Sequence, residues 1–202
     1  MGRATRGLTL ALAAAGLLAP LGGCRSPLGK AVPEANLADR EDYTLVRGLD
    51  APAPRGPAGC GAQALATVYV SLDPAADPEA ESEALPWHEV GATPVELLLA
   101  ARARGFEAAL AKGDWNALHT EVERGRTPIV MLDASRQVWA PWGWFDTGNR
   151  LYHWGVVSGL SAGEKQRVLL AADGGRHHVM PRALFEKRWS RAANCMIVVT
   201  AR

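Results

Sequence analysis

Between Ala51 and Gly59 the chain carries three prolines and two glycines, and it then runs directly into Cys60-Gly61-Ala62-Gln63-Ala64-Leu65-Ala66. Proline removes a backbone donor and fixes φ, so the first stretch is neither helix interior nor central strand. The second is strongly helical, and Ala64, Leu65, Val68 and Tyr69 give it one apolar face across Ala62 to Val70. The junction predicts a loop that delivers a cysteine to the N-terminus of a buried helix. There the unsatisfied N–H groups and the positive end of the helix dipole favour the thiolate, which is the nucleophilic form.

The N-terminus reads as a targeting segment. Arg3 and Arg6 precede an apolar run from Leu8 to Leu18, too short to span a bilayer, which ends in Leu21-Gly22-Gly23-Cys24. That ending resembles the bacterial lipobox, which implies a signal peptide over 1–23 and a diacylated Cys24 as the mature N-terminus; an ordinary secretory signal is the alternative. Arg25 in place of an aspartate implies the outer membrane, with the protein facing the periplasm of the cell envelope. Residues 24–50 are read as a tether and 51–202 as one domain.

Without Arg3 and Arg6, the 22 basic residues of the chain fall just below its 21 acidic ones. A balance of that kind gives no electrostatic footprint for nucleic acid or anionic lipid. Attachment to the membrane is therefore expected through the N-terminal lipid, at about 0.8 kcal/mol per buried methylene. No Cys-x-x-Cys occurs, and His177-His178 would point to opposite faces of a strand, so no metal and no cofactor are expected. Cys195, inside Cys195-Met196-Ile197-Val198-Val199, reads as a buried free thiol, although an exported chain could also join it to Cys60.

The remaining elements follow from caps and periodicity. Thr44-Leu45-Val46 suits a short edge strand, and Asp73 to Glu83 reads as a surface excursion. Thr93-Pro94-Val95-Glu96 opens a helix that runs to about Arg104, and Asp114 caps another that ends at Gly125. Strands are predicted at Phe106–Leu110, Thr127–Leu132, Tyr152–Leu160, Arg167–Ala172, His177–Met180 and Cys195–Thr200, with a last helix from Pro181 through Trp189. The stretch from Asp133 to Arg150 reads as a loop whose Trp139, Trp142, Trp144 and Phe145 serve as a lid on the core or as an aromatic wall of a cleft. Helices first and an antiparallel sheet after them make an α+β domain.

Several of these motifs occur together in one family. The Cys60-Gly61-x-x-Ala-Leu-Ala start, Thr93-Pro94-x-Glu96-Leu97, Gly125-x-Thr-Pro128-Ile129-Val130, His153-Trp154-x-Val156-Val157 and Phe185-x-x-x-Trp189 resemble the double-glycine (bacteriocin-processing, C-thirty-nine type) cysteine peptidases. The resemblance covers about Asp50 to Thr200. It implies a papain-like cysteine peptidase fold, with Cys60 as nucleophile, His153 as general base and Asp173 orienting the imidazole. A hairpin from His153 to Asp173 would set the two side chains on neighbouring strands. The substrate implied is a peptide or protein in the envelope, cut after small residues.

One position departs from the family. Where a glutamine donates to the oxyanion, about five residues before the cysteine, this chain has Arg55, while the Cys60 N–H is kept. Loss of one such donor costs on the order of 100–1,000-fold in rate. Arg55 thus opens a second reading, a catalytically impaired peptide-binding or scaffolding lipoprotein. A third, a cell-wall hydrolase of another papain-like class, fits Gly59-Cys60-Gly61-Ala62 less well. No Walker loop follows the signal, so no ATP-binding domain is expected in this chain.

Overall fold

The computed structural model describes residues 28, 31–38, 43–46, 48–53, 55–56, 58–87, 91–135, 137–140, 143–146, 151–162 and 166–202. The predicted signal segment 1–23, Cys24 and the side chains of Trp139, Trp142, Trp144 and Phe145 lie outside the described residues. The chain forms β1 (Ala31–Pro33), α1 (Ala35–Ala38), β2 (Tyr43–Leu45), α2 (Cys60–Leu72), α3 (Pro78–Glu83), α4 (Pro94–Ala103), β3 (Glu107–Lys112) and α5 (Trp115–Glu123). These are followed by β4 (Ile129–Asp133), β5 (Gln137–Ala140), β6 (Gly143–Asp146), β7 (Tyr152–Ser161), β8 (Arg167–Ala172), β9 (Arg176–Pro181), α6 (Arg182–Arg191) and β10 (Cys195–Thr200). The fold is α+β, with helices packed on an antiparallel sheet.

That sheet runs in the order β1-β9-β8-β7-β4-β10-β3, and β2 pairs with β7 past a register shift between Val157 and Gly159. The middle stretches of its central strands are largely apolar because both faces are covered. Along β10, Cys195, Ile197 and Val199 join one core cluster while Met196 joins the other. Along β4, Ile129 belongs to the first cluster and Val130 and Leu132 to the second. The first cluster is closed by Ala64, Leu65, Val68 and Tyr69 of α2 and by Leu97 and Ala101 of α4. The second is closed by Leu118 and Val122 of α5 and by Phe185 and Trp189 of α6. Period-two alternation thus sorts one run of residues onto two helical layers.

The caps form as their chemistry requires. Thr93 and Glu96 make a reciprocal capping box, and the Asp114 carboxylate accepts from the Ala117 N–H at 2.8 Å. Three regions differ from expectation. Residues 78–83 are a helix, because Asp77 caps the N–H groups of Glu79 and Ala80 and Pro78 takes the first turn. The aromatic stretch holds a hairpin, in which β5 and β6 pair Val138 with Phe145 and Trp139 with Trp144. Finally, part of the expected tether belongs to the sheet. Ala31, Val32 and Pro33 pair with His178, His177 and Arg176, and Leu28 and Leu37 are buried.

Candidate active site

Cys60 occupies the first position of α2, partly buried, with its sulfur 3.9 Å from the Ala58 carbonyl oxygen. Gly59 caps the helix without a side-chain acceptor, so the first-turn N–H groups receive no competing oxygen from the cap residue. Such a terminus can stabilise a thiolate or an oxyanion. Two glycines make the close approach possible. A Cβ on Gly59 would lie 1.9 Å from the Arg55 carbonyl oxygen, and one on Gly61 would lie 2.8 Å from the Ala92 Cβ. On this side the Trp154 indole N–H donates to the Ala92 carbonyl at 2.9 Å, forming the wall beside the cysteine turn.

The approach loop is fixed at several points. Ala51 is buried and bridges Asp173 in parallel, and the Gln63 side-chain amide donates to the Pro52 carbonyl at 2.8 Å. The Ala53 N–H and the Arg55 guanidinium both reach α3. Arg55 pairs with Glu79 at 3.4 Å and with Glu83. Its guanidinium therefore neutralises two α3 carboxylates and serves to brace the loop. Sequence reading singled out Arg55 for the oxyanion but missed these partners. The signal was present, since Asp77-Pro78 marks a helix start and places Glu79 and Glu83 one turn apart.

His153 lies at the start of β7, opposite Leu132 of β4. The next residues show which way it faces. Trp154 and Val156 pack with α2, whereas Val157 belongs with α5 and α6, and the Gly155 Cα faces Leu170 and Leu28. Alternation therefore sends His153 to the α6 face, away from α2. Burial pushes its pKa down to about 4, with the nearby His178 and Arg188 acting in the same direction. The imidazole is thus neutral at physiological pH.

Asp173 follows the last residue of β8, before Gly174 and Gly175, whose φ values of +64° and +61° turn the chain into β9. Its carboxylate is half exposed and accepts from the Arg176 guanidinium at 2.7 Å. In the β7–β8 hairpin Val157 pairs with Leu170 and Leu160 with Val168, and the Asp173 backbone bridges Ala51. Cys60, His153 and Asp173 thus stand at the start of α2, near the start of β7 and just past the end of β8. Neither Cys60 nor Cys195 is in a disulfide, and burial raises the Cys195 pKa. Among the described residues no group of three or more His, Cys, Asp or Glu is placed to hold a metal ion.

A second polar chain was not anticipated. Ser158 and His177, both fully buried, share a hydrogen bond of 2.7 Å, and the other ring nitrogen of His177 lies 3.3 Å from Glu34. With the serine sealed from solvent, the arrangement serves to fasten residue 34 to the sheet.

The chain thus sets a thiol at the N-terminus of a helix that packs on an antiparallel sheet. Among solved structures it is similar to the peptidase domain of Streptococcus ComA, which is described as a bi-functional ABC transporter involved in a quorum sensing pathway. The match has a TM-score of 0.54 at 18% identity and covers 77% of this chain and 100% of that one. At that identity the likeness establishes the fold. No family model matches the chain, and no curated protein does.

Proposed function

We propose that this chain acts on peptides as a cysteine peptidase, with Cys60 as its nucleophile. The observation that carries the reading is the seat of Cys60, at an uncapped helix N-terminus within a fold shared with the whole of a solved peptidase domain. The thiolate would attack the peptide carbonyl, with the Cys60 N–H donating to the oxyanion. The amine leaves with a proton, and water then releases the acyl group from the thioester. His153 is the proposed base and Asp173 its orienting carboxylate. A diacylated Cys24 would hold the protein at the envelope membrane.

The same geometry favours a second reading, peptide binding without turnover. Its specific support is that Arg55 is engaged by Glu79 and Glu83, and Asp173 by Arg176. Peptide hydrolysis and thiol alkylation separate the two. As a peptidase, the protein should lose hydrolysis in Cys60→Ala and about 1,000-fold or more of its rate in His153→Ala. Iodoacetamide should also label Cys60 far faster than Cys195 at mildly acidic pH. Hydrolysis that is absent while peptide binding persists, and is blocked by alkylating Cys60, would establish the second reading. Absence of both would end the case for a peptide site.

A further inference from the structure

The path of the N-terminal segment decides which side of the domain can meet a membrane. Leu28 is buried in the α5/α6 core cluster, with a methyl 4.0 Å from where a Gly155 Cβ would stand. Only three residues separate it from Cys24, and the four residue steps between them span at most ~14 Å of extended chain. That barely exceeds the ~10–12 Å thickness of one helical layer. A lipid on Cys24 would therefore hold the α5/α6 layer against the bilayer, with no long leash between them.

The outer surface of α6 suits that position. Leu184 is 41% exposed, and Lys187 and Arg191 lie on the same exposed face at three- and four-residue spacing. Within the helix, Arg182, Lys187, Arg188 and Arg191 stand against the single carboxylate of Glu186. The near-neutral whole chain hides this local cationic excess, which Asp133 and Glu186 offset only in part. A leucine among cations is the chemistry that sits at an anionic phospholipid surface.

We propose that the exposed face of α6 docks on anionic phospholipid when Cys24 is lipidated, turning the Cys60 end of α2, on the opposite face of the sheet, toward the aqueous side. This inference rests on the lipoprotein reading. It makes the accessible substrate a soluble peptide, excluding one embedded in the same leaflet.

Two measurements keep the inference separable from that reading. The mass of Cys24 in envelope-extracted protein decides whether the anchor exists. The orientation is tested whichever way that falls. The chain from residue 24, with Cys60→Ser and Cys195→Ala, is coupled through Cys24 to a maleimide phospholipid in phosphatidylethanolamine/phosphatidylglycerol vesicles. An impermeant amine reagent should then acetylate Lys187 several-fold more slowly than after detergent release, with Lys112 on the far sheet edge unchanged. Adding Leu184→Glu and Arg191→Glu should abolish the protection of Lys187 without altering the circular dichroism. An unchanged Lys187 rate, protection of Lys112 instead, or protection that survives both substitutions overturns the docking face.

Discussion

Gly59 shows how one missing carbon shapes the candidate site. Its φ of −69° suits any residue, so an alanine there meets no torsional penalty. The obstacle is the Arg55 carbonyl oxygen, 1.9 Å from the added Cβ, and it is backbone that cannot rotate aside. Gly59→Ala is expected to cost about 1–3 kcal/mol and to displace the loop held by Gln63 and Arg55. Urea unfolding checks the stability; a midpoint equal to wild type would show that the loop yields freely. His153 leads to a prediction about pH. Its folded pKa of about 4 lies below the unbound value of 6.5, so the unfolded chain binds the proton first. Stability present above pH 6.5 should be lost as pH falls toward 4, by roughly 3 kcal/mol at most for this group. His177, also held low by burial, acts in the same direction. The His153→Gln variant should lose less stability than wild type between pH 7 and pH 4.5, and parallel losses in the two proteins would refute the assignment.

At the scale of elements, local chemistry was legible wherever a few adjacent residues supply the energy. The Thr93–Glu96 box closes within one turn of α4, and its hydrogen bonds hold the Glu96 carboxyl below its usual pKa. Thr93→Ala should cost about 1 kcal/mol while Thr93→Ser costs much less, as measured by thermal or urea unfolding. Helix α2 was likewise readable from its apolar face. Strand β1 was not. Three residues carry too little periodicity, and β1 exists because β9 offers its edge and His177 holds Glu34. The β5–β6 hairpin was hidden for a related reason, since its aromatic residues suit a packed loop and a paired strand equally.

At the scale of the whole molecule, the main sheet is covered on both faces, and its first strand comes from a segment that sequence alone assigned to a tether. Starting the chain at residue 51 would remove β1, α1, β2 and the buried side chains of Leu28 and Leu37. Each buried leucine contributes about 1.5–3 kcal/mol, and the truncation also bares the β9 edge. The shortened protein should unfold at clearly lower denaturant and tend to aggregate. A truncated chain as stable as the full one would restore the tether.

Sequence by itself determined the α+β class, the loop-to-helix junction that presents Cys60, and the caps and apolar strands that carry the core. Each of these depends on residues within a turn or a strand of one another, where hydrogen bonding and side-chain period act locally. Only the tertiary structure decided that Arg55 faces α3, that Asp173 meets Arg176, and that His153 lies near His178 and Arg188. Those outcomes depend on strand register and on partners tens of residues away, and a one-residue change in register would send the imidazole to the other face.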